Sequence, residues 1–145
     1  MILDSQTRFS DAQSVASAAG DVVSTDIYDT GAAADVGIGQ EEMLQIQVNE
    51  AVVGAGASVQ FVLQTSAASN FSAPVEFPLT AAVPVASLTA NSLQYRGRLP
   101  IGLLRYLRIV YRVTGATTTD GTVTAFLAND LQIAPALPTT VPGVK

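Results

Sequence analysis

A chain of 145 residues, 48% apolar with a net charge of −5, is long enough to close one core as a single domain, and too acidic for a general nucleic-acid binder, which must neutralise several phosphates. It has no Cys and no His, and its one lysine is Lys145. Those absences exclude disulfides, most transition-metal sites and the His-dependent nucleophile systems, and they leave carboxylates as the only catalytic currency.

The N-terminus, MILDSQTRFSDAQ, lacks the basic start and apolar run of a signal peptide, and no apolar run approaches the roughly 18 residues of a membrane span. Residues 10–20, SDAQSVASAAG, carry a capping pattern, Ser10 with Gln13 three residues on, but their apolar content is mostly Ala. Residues 1–20 therefore read as an N-terminal arm that orders on a partner, so deleting residues 1–15 is expected to leave a folded core.

DVVSTDIYD (21–29) is a first strand. MLQIQVNE (43–50) alternates Leu44, Ile46 and Val48 against Gln45, Gln47 and Asn49, and SVQFVLQT (58–65) does the same with Val59, Phe61 and Leu63 inward. The glycines of AVVGAGAS between them predict an antiparallel hairpin. APVEFPLT (73–80) contains Pro74 and Pro78, which confine it to a sheet edge. NSLQYRGRLP (91–100) and LRYLRIVYRV (104–113) follow. Asp120-Gly121 then signals a turn that pairs 104–113 with TVTAFLANDLQI (122–133). APALPTTVPGVK carries Pro135, Pro138 and Pro142, and residues 135–145 read as an extended tail. Seven or eight evenly spaced strands with few helical signals predict an all-β antiparallel sandwich of jelly-roll type over residues 21–134.

Charge is segregated. Nine of the twelve acids lie within the first fifty residues, and five of the seven basic side chains fall in RGRLPIGLLRYLRIVYR, 96–112. Strand parity puts Arg108 and Arg112 on one face with Tyr106 and Val110, and Arg105 on the core side. If the strands carrying 96–98 and 108–112 are neighbours, four guanidinium groups share one surface. That surface is a solvated face, a protein contact rich in Arg and Tyr, or an RNA stacking surface that the overall charge disfavours. The protein-contact reading names Arg96, Arg98, Tyr106, Arg108 and Arg112, with Arg8 and Phe9 from the arm.

The acids Asp21, Asp26, Asp29, Asp35, Glu41 and Glu42 fit no EF-hand spacing, and scattered surface carboxylates explain them. Asp29-Thr30-Gly31 matches an aspartic-protease triplet whose second copy is missing, and the glycines at 37 and 39 start no phosphate loop. No catalytic, cofactor or metal site is expected.

Three segments, MILDSQTRFSDAQSV, RLPIGLLRYLRIVYRVTG and GTVTAFLANDLQ (121–132), together resemble the small capsid cement proteins of tailed bacteriophages, as in Bordetella-type short-tailed phages. The resemblance covers the N-terminal stretch and the last third, whereas residues 30–90 match in strand pattern only. It implies a jelly-roll decoration protein, made in the bacterial cytoplasm, that sits on the outer capsid surface. There it bridges major capsid protein subunits as a homodimer or, alternatively, a trimer, with neither nucleic acid nor membrane as partner. A carbohydrate-binding or receptor-binding sandwich on a phage tail is the competing reading. It wants an aromatic platform, yet the chain has no Trp and its four tyrosines are dispersed. A carboxylate hydrolase on a sandwich would need two acids meeting in a cleft.

Overall fold

A computed structural model describes residues 5–32 and 42–129. The strands are β1 (Arg8–Ser14), β2 (Gly20–Val23), β3 (Tyr28–Asp29), β4 (Met43–Val53), β5 (Ser58–Ser66), β6 (Val75–Pro78), β7 (Val83–Pro84), β8 (Leu93–Arg98), β9 (Tyr106–Thr114) and β10 (Asp120–Ala128). They form two antiparallel sheets packed as a sandwich. One is four-stranded, in the order β1-β10-β4-β8; the other is six-stranded, β2-β9-β5-β6, with β3 also on β9 and β7 also on β5.

The all-β antiparallel sandwich is as expected, and so is the inward set of each long strand. Leu44, Ile46 and Val48 of β4 meet Val59, Phe61 and Leu63 of β5, with Leu107, Ile109 and Tyr111 of β9 and Val123, Ala125 and Leu127 of β10, in one core. Period-2 alternation delivers each of these to the buried side without further help. The Pro-bearing β6 pairs with β5 alone and is an edge, also as expected.

The pairings differ from expectation in a consistent way. β4 and β5 do not form a hairpin: β4 lies between β10 and β8, while β5 lies between β9 and β6. β9 and β10 likewise belong to opposite sheets. Asp120 pairs with Val53 and marks the start of a strand, not a turn. An alternating strand followed by a glycine turn looks the same whether the chain returns within its sheet or crosses to the other one. Both routes send the same residues into the core. Within the six-stranded sheet that results, Phe61 of β5 and Tyr111 of β9 are cross-strand partners whose rings pack edge to face at 5.8 Å.

The N-terminal stretch is the largest departure. Residues 8–14 are not an arm lying outside the domain but a strand on the edge of the four-stranded sheet, paired with β10. Its register slips between Arg8 and Ser10 and again between Ser10 and Gln13. The first slip turns two successive side chains inward, so Phe9 and Ser10 are both fully buried. The Ser10 and Tyr111 hydroxyls hydrogen-bond across the core, joining the two sheets and satisfying a phenol whose ionisation burial opposes. This irregular strand carries no clean alternation, which is why sequence periodicity does not reveal it.

The expected strand over 21–29 is broken in two. Between β2 and β3, the Ser24 amide donates to the Ile109 carbonyl (2.8 Å), and the Asp26 amide reaches across to the Phe9 carbonyl of the other sheet (2.9 Å). The Gln13 amide nitrogen donates to the Val23 carbonyl (2.7 Å), and its carbonyl oxygen accepts from the Thr25 amide (2.8 Å). One side of the sandwich is thereby closed. The expected Pro-rich tail at 135–145, the strand extension at 130–133, Asp35, Glu41 and the 37–39 glycines lie outside the described residues.

Candidate interaction surface

The outward residues of β9 are Tyr106, Arg108, Val110 and Arg112, and pairing with the neighbouring strands arranges them in rows. Asp21, Arg112 and Gln60 form one row. Val23, Val110, Val62 and Pro78 form the next, and Arg108, Gln64 and Glu76 the third.

Arg112 forks onto Asp21, Nε to Oδ1 at 2.8 Å and Nη2 to Oδ2 at 3.0 Å. Its other edge meets Glu76, Nη2 to Oε1 at 2.8 Å and Nη1 to Oε2 at 3.3 Å. Asp21 is on β2 and Glu76 on β6, so one guanidinium ties the two flanking strands of the sheet together. Because Glu76 belongs to the third row, Arg112 must cross the valine row to reach it. That crossing explains why Val62 and Val110 are buried although they point outward. Glu76 Oε1 also accepts from Gln64 Nε2 at 2.7 Å, and Gln64 Oε1 accepts from Arg108 Nε at 2.8 Å. The Arg108 guanidinium lies 4.1 Å from the centre of the Phe71 ring.

Hydrogen bonds from Arg112 hold the Asp21 carboxyl below the usual range; those from Arg112 and then Gln64 do the same for Glu76. Arg112 is correspondingly harder to deprotonate, through Asp21 first and Glu76 second. A carboxyl whose pKa is depressed on folding adds stability above its unfolded value. That stability is lost as pH falls through the folded value. Stability is therefore expected to be flat above about pH 5 and to fall below about pH 4. Replacing both acids by Asn and Gln should flatten that acid limb in a urea titration at each pH, with a modest effect because these groups are partly solvated.

The other arginines are elsewhere. Arg105 precedes β9 rather than facing the core. It pairs with Asp29 at 2.9 and 3.1 Å, and its guanidinium stands 5.1 Å from the Tyr106 ring centre. Arg8 pairs with Asp11 at 2.8 Å. Arg96 and Arg98 are on β8, in the four-stranded sheet, where Arg96 Nε donates to Gln45 Oε1 at 3.1 Å.

The expected four-arginine face is thus two surfaces on opposite sides of the molecule. Residue parity along each strand was legible, but the sheet to which each strand belongs was not. Phe9, expected at a partner contact, is fully buried in the core and offers a partner no surface. The segregated charges meet within the chain: Asp11, Asp21 and Asp29 each hold an arginine. Glu76, Gln64 and Phe71 complete the network and were not anticipated. One signal existed for Glu76, which is the only acid between Glu50 and Asp120.

Asp29 of the Asp-Thr-Gly triplet accepts from the Gly31 amide at 2.8 Å as well as from Arg105, which makes it a turn residue. Among the described residues, no three His, Cys, Asp or Glu side chains gather as a metal site would require, and no helix is long and apolar enough to cross a membrane. No curated protein matches the chain. A family model does, over residues 9–127, from the second residue of β1 to the penultimate residue of β10. On that match, which takes in both sheets, the chain belongs to the Bbp16 family, a Bordetella phage protein family.

Proposed function

We propose that this protein is a structural component of the phage particle, a decoration or cement protein that binds the outer surface of the head and bridges neighbouring major capsid subunits. The observation that carries this reading is the family match, which coincides with the sandwich itself rather than with a tail or an insertion. The surface chemistry supports it: charged groups on the outer face are tied to one another as a rigid network, not gathered around a cleft. The strand order β1-β10-β4-β8 over β2-β9-β5-β6 is one we read as a jelly-roll winding, a fold used repeatedly in viral shells. Many copies of one modest contact, repeated over a shell, stabilise it through shared geometry rather than through a deep site.

The protein is expected to co-sediment with empty expanded heads and to raise their thermal stability, while failing to bind a panel of surface glycans. Association as a homodimer is part of the same reading, and sedimentation of the free protein tests it. Glycan binding without binding to heads would point to a tail module and overturn the decoration role.

A further inference from the structure

Arg108 differs from the other outer-face arginine in a way that charge pairing does not explain. Among the described residues no carboxylate hydrogen-bonds to it: Asp21, already forked onto Arg112, acts on it only through its charge, and its hydrogen bond is from Nε to the neutral Gln64. The terminal nitrogens, the half that forks onto carboxylates, make no hydrogen bond to any described residue.

The guanidinium is nevertheless held firmly. Gln64 is fixed from behind by Glu76, and Glu76 by Arg112, whose far side is bound by Asp21. The Phe71 ring closes the other side. Phe71 stands in a left-handed conformation, with φ of +50°, in a turn where its amide donates to the Ala68 carbonyl at 3.0 Å. For a bulky residue that conformation is strained, and such positions collect at binding sites. The strained loop residue and the glutamine relay converge on one cation and leave its paired donors unused.

We propose that Arg108 is a carboxylate-docking site that receives an acidic side chain, Asp or Glu, from the surface of the protein to which this chain attaches. A guanidinium already fixed by stacking and by Gln64 gives up little conformational freedom when the carboxylate arrives. Partial burial also weakens the competition from water, since burial already disfavours its charge. That the acidic surface is a phage head rests on the decoration reading above; the docking chemistry does not.

Two measurements separate these. In the first, the isotope-labelled full chain is titrated with hexaglutamate and, separately, with inorganic phosphate. The Arg108 Nε–H resonance and the Phe71 amide are expected to shift saturably with hexaglutamate and less with phosphate, and the Phe71 shift to vanish in Arg108→Gln. An unmoved Arg108 resonance overturns the site, and an equal or stronger response to phosphate overturns the carboxylate assignment. A shift produced by concentrating the chain alone makes the occupant a second copy and overturns the assignment to another protein.

In the second, Arg108→Gln is expected to bind heads at least about tenfold more weakly, as loss of a central Arg contact does, with unchanged thermal unfolding. Wild-type affinity in that variant overturns the docking role while leaving decoration intact. Failure of the wild-type chain to bind heads removes decoration and leaves the site to be judged by the titration.

Discussion

Replacing Phe9 by Ala is expected to lower stability by about 3–5 kcal/mol, the cost of emptying a fully buried aromatic position. The ring packs edge to face on Tyr28 at 6.4 Å, and its neighbours belong to both sheets. The backbone around it is fixed as well, since the Phe9 carbonyl accepts the Asp26 amide. For a domain of this size such a loss is a large share of the total and should move the thermal midpoint by several degrees or more. Ile101, 84% exposed in the β8–β9 connection, is the matched control, and Ile101→Ala should leave stability nearly unchanged. Deleting residues 1–15 removes the same side chain, Val15 and the whole of β1, and should unfold the protein. An intact core after that deletion would restore the N-terminal stretch to the status of an arm.

Gly115→Ala should be the second large perturbation, about 2–4 kcal/mol. Gly115 follows β9 with φ of +85°, and a Cβ there would stand 2.5 Å from the Gly56 carbonyl oxygen. The β9–β10 and β4–β5 connections touch backbone to backbone at this end of the sandwich, so neither strain nor overlap can relax cheaply. Gly56 supplies the comparison. It too has a positive φ, +77°, but nothing lies within 4 Å of its missing Cβ. Gly56→Ala should therefore cost only the conformational part, about 1 kcal/mol. Equal losses at the two positions, measured by urea unfolding, would contradict the close approach of these loops.

These two sites also show what the sequence can and cannot convey. The glycines of AVVGAGAS and TGATTTDG announce turns, and the alternation on either side announces which residues go inward. Neither says whether the chain turns back beside itself or crosses to the facing sheet, because Leu44 or Val123 is buried either way. Sheet membership depends on contacts between residues far apart in the chain, such as Gln64 with Arg108 and Glu76, and no local pattern encodes them. Phe9 was legible only as an aromatic in a polar stretch. The bulge that turns it inward beside Ser10 breaks the period by which a strand is recognised.

The arginine stretch 96–112 shows the same division. Parity correctly placed Arg108, Val110 and Arg112 on one face, but Arg96 and Arg98 came to lie on the opposite side of the molecule. The complementary acids were visible as a charge asymmetry. Their targets were not, since the pairing of Asp21 with Arg112 follows from β2 lying beside β9.

The decoration role is tested most directly by a cryo-EM map of the phage head assembled with this protein. The expected result is density for the two-sheet sandwich on the outer surface, spanning a boundary between neighbouring capsid subunits. A fully ordered head with no such density, or density for the sandwich confined to the tail, would contradict it.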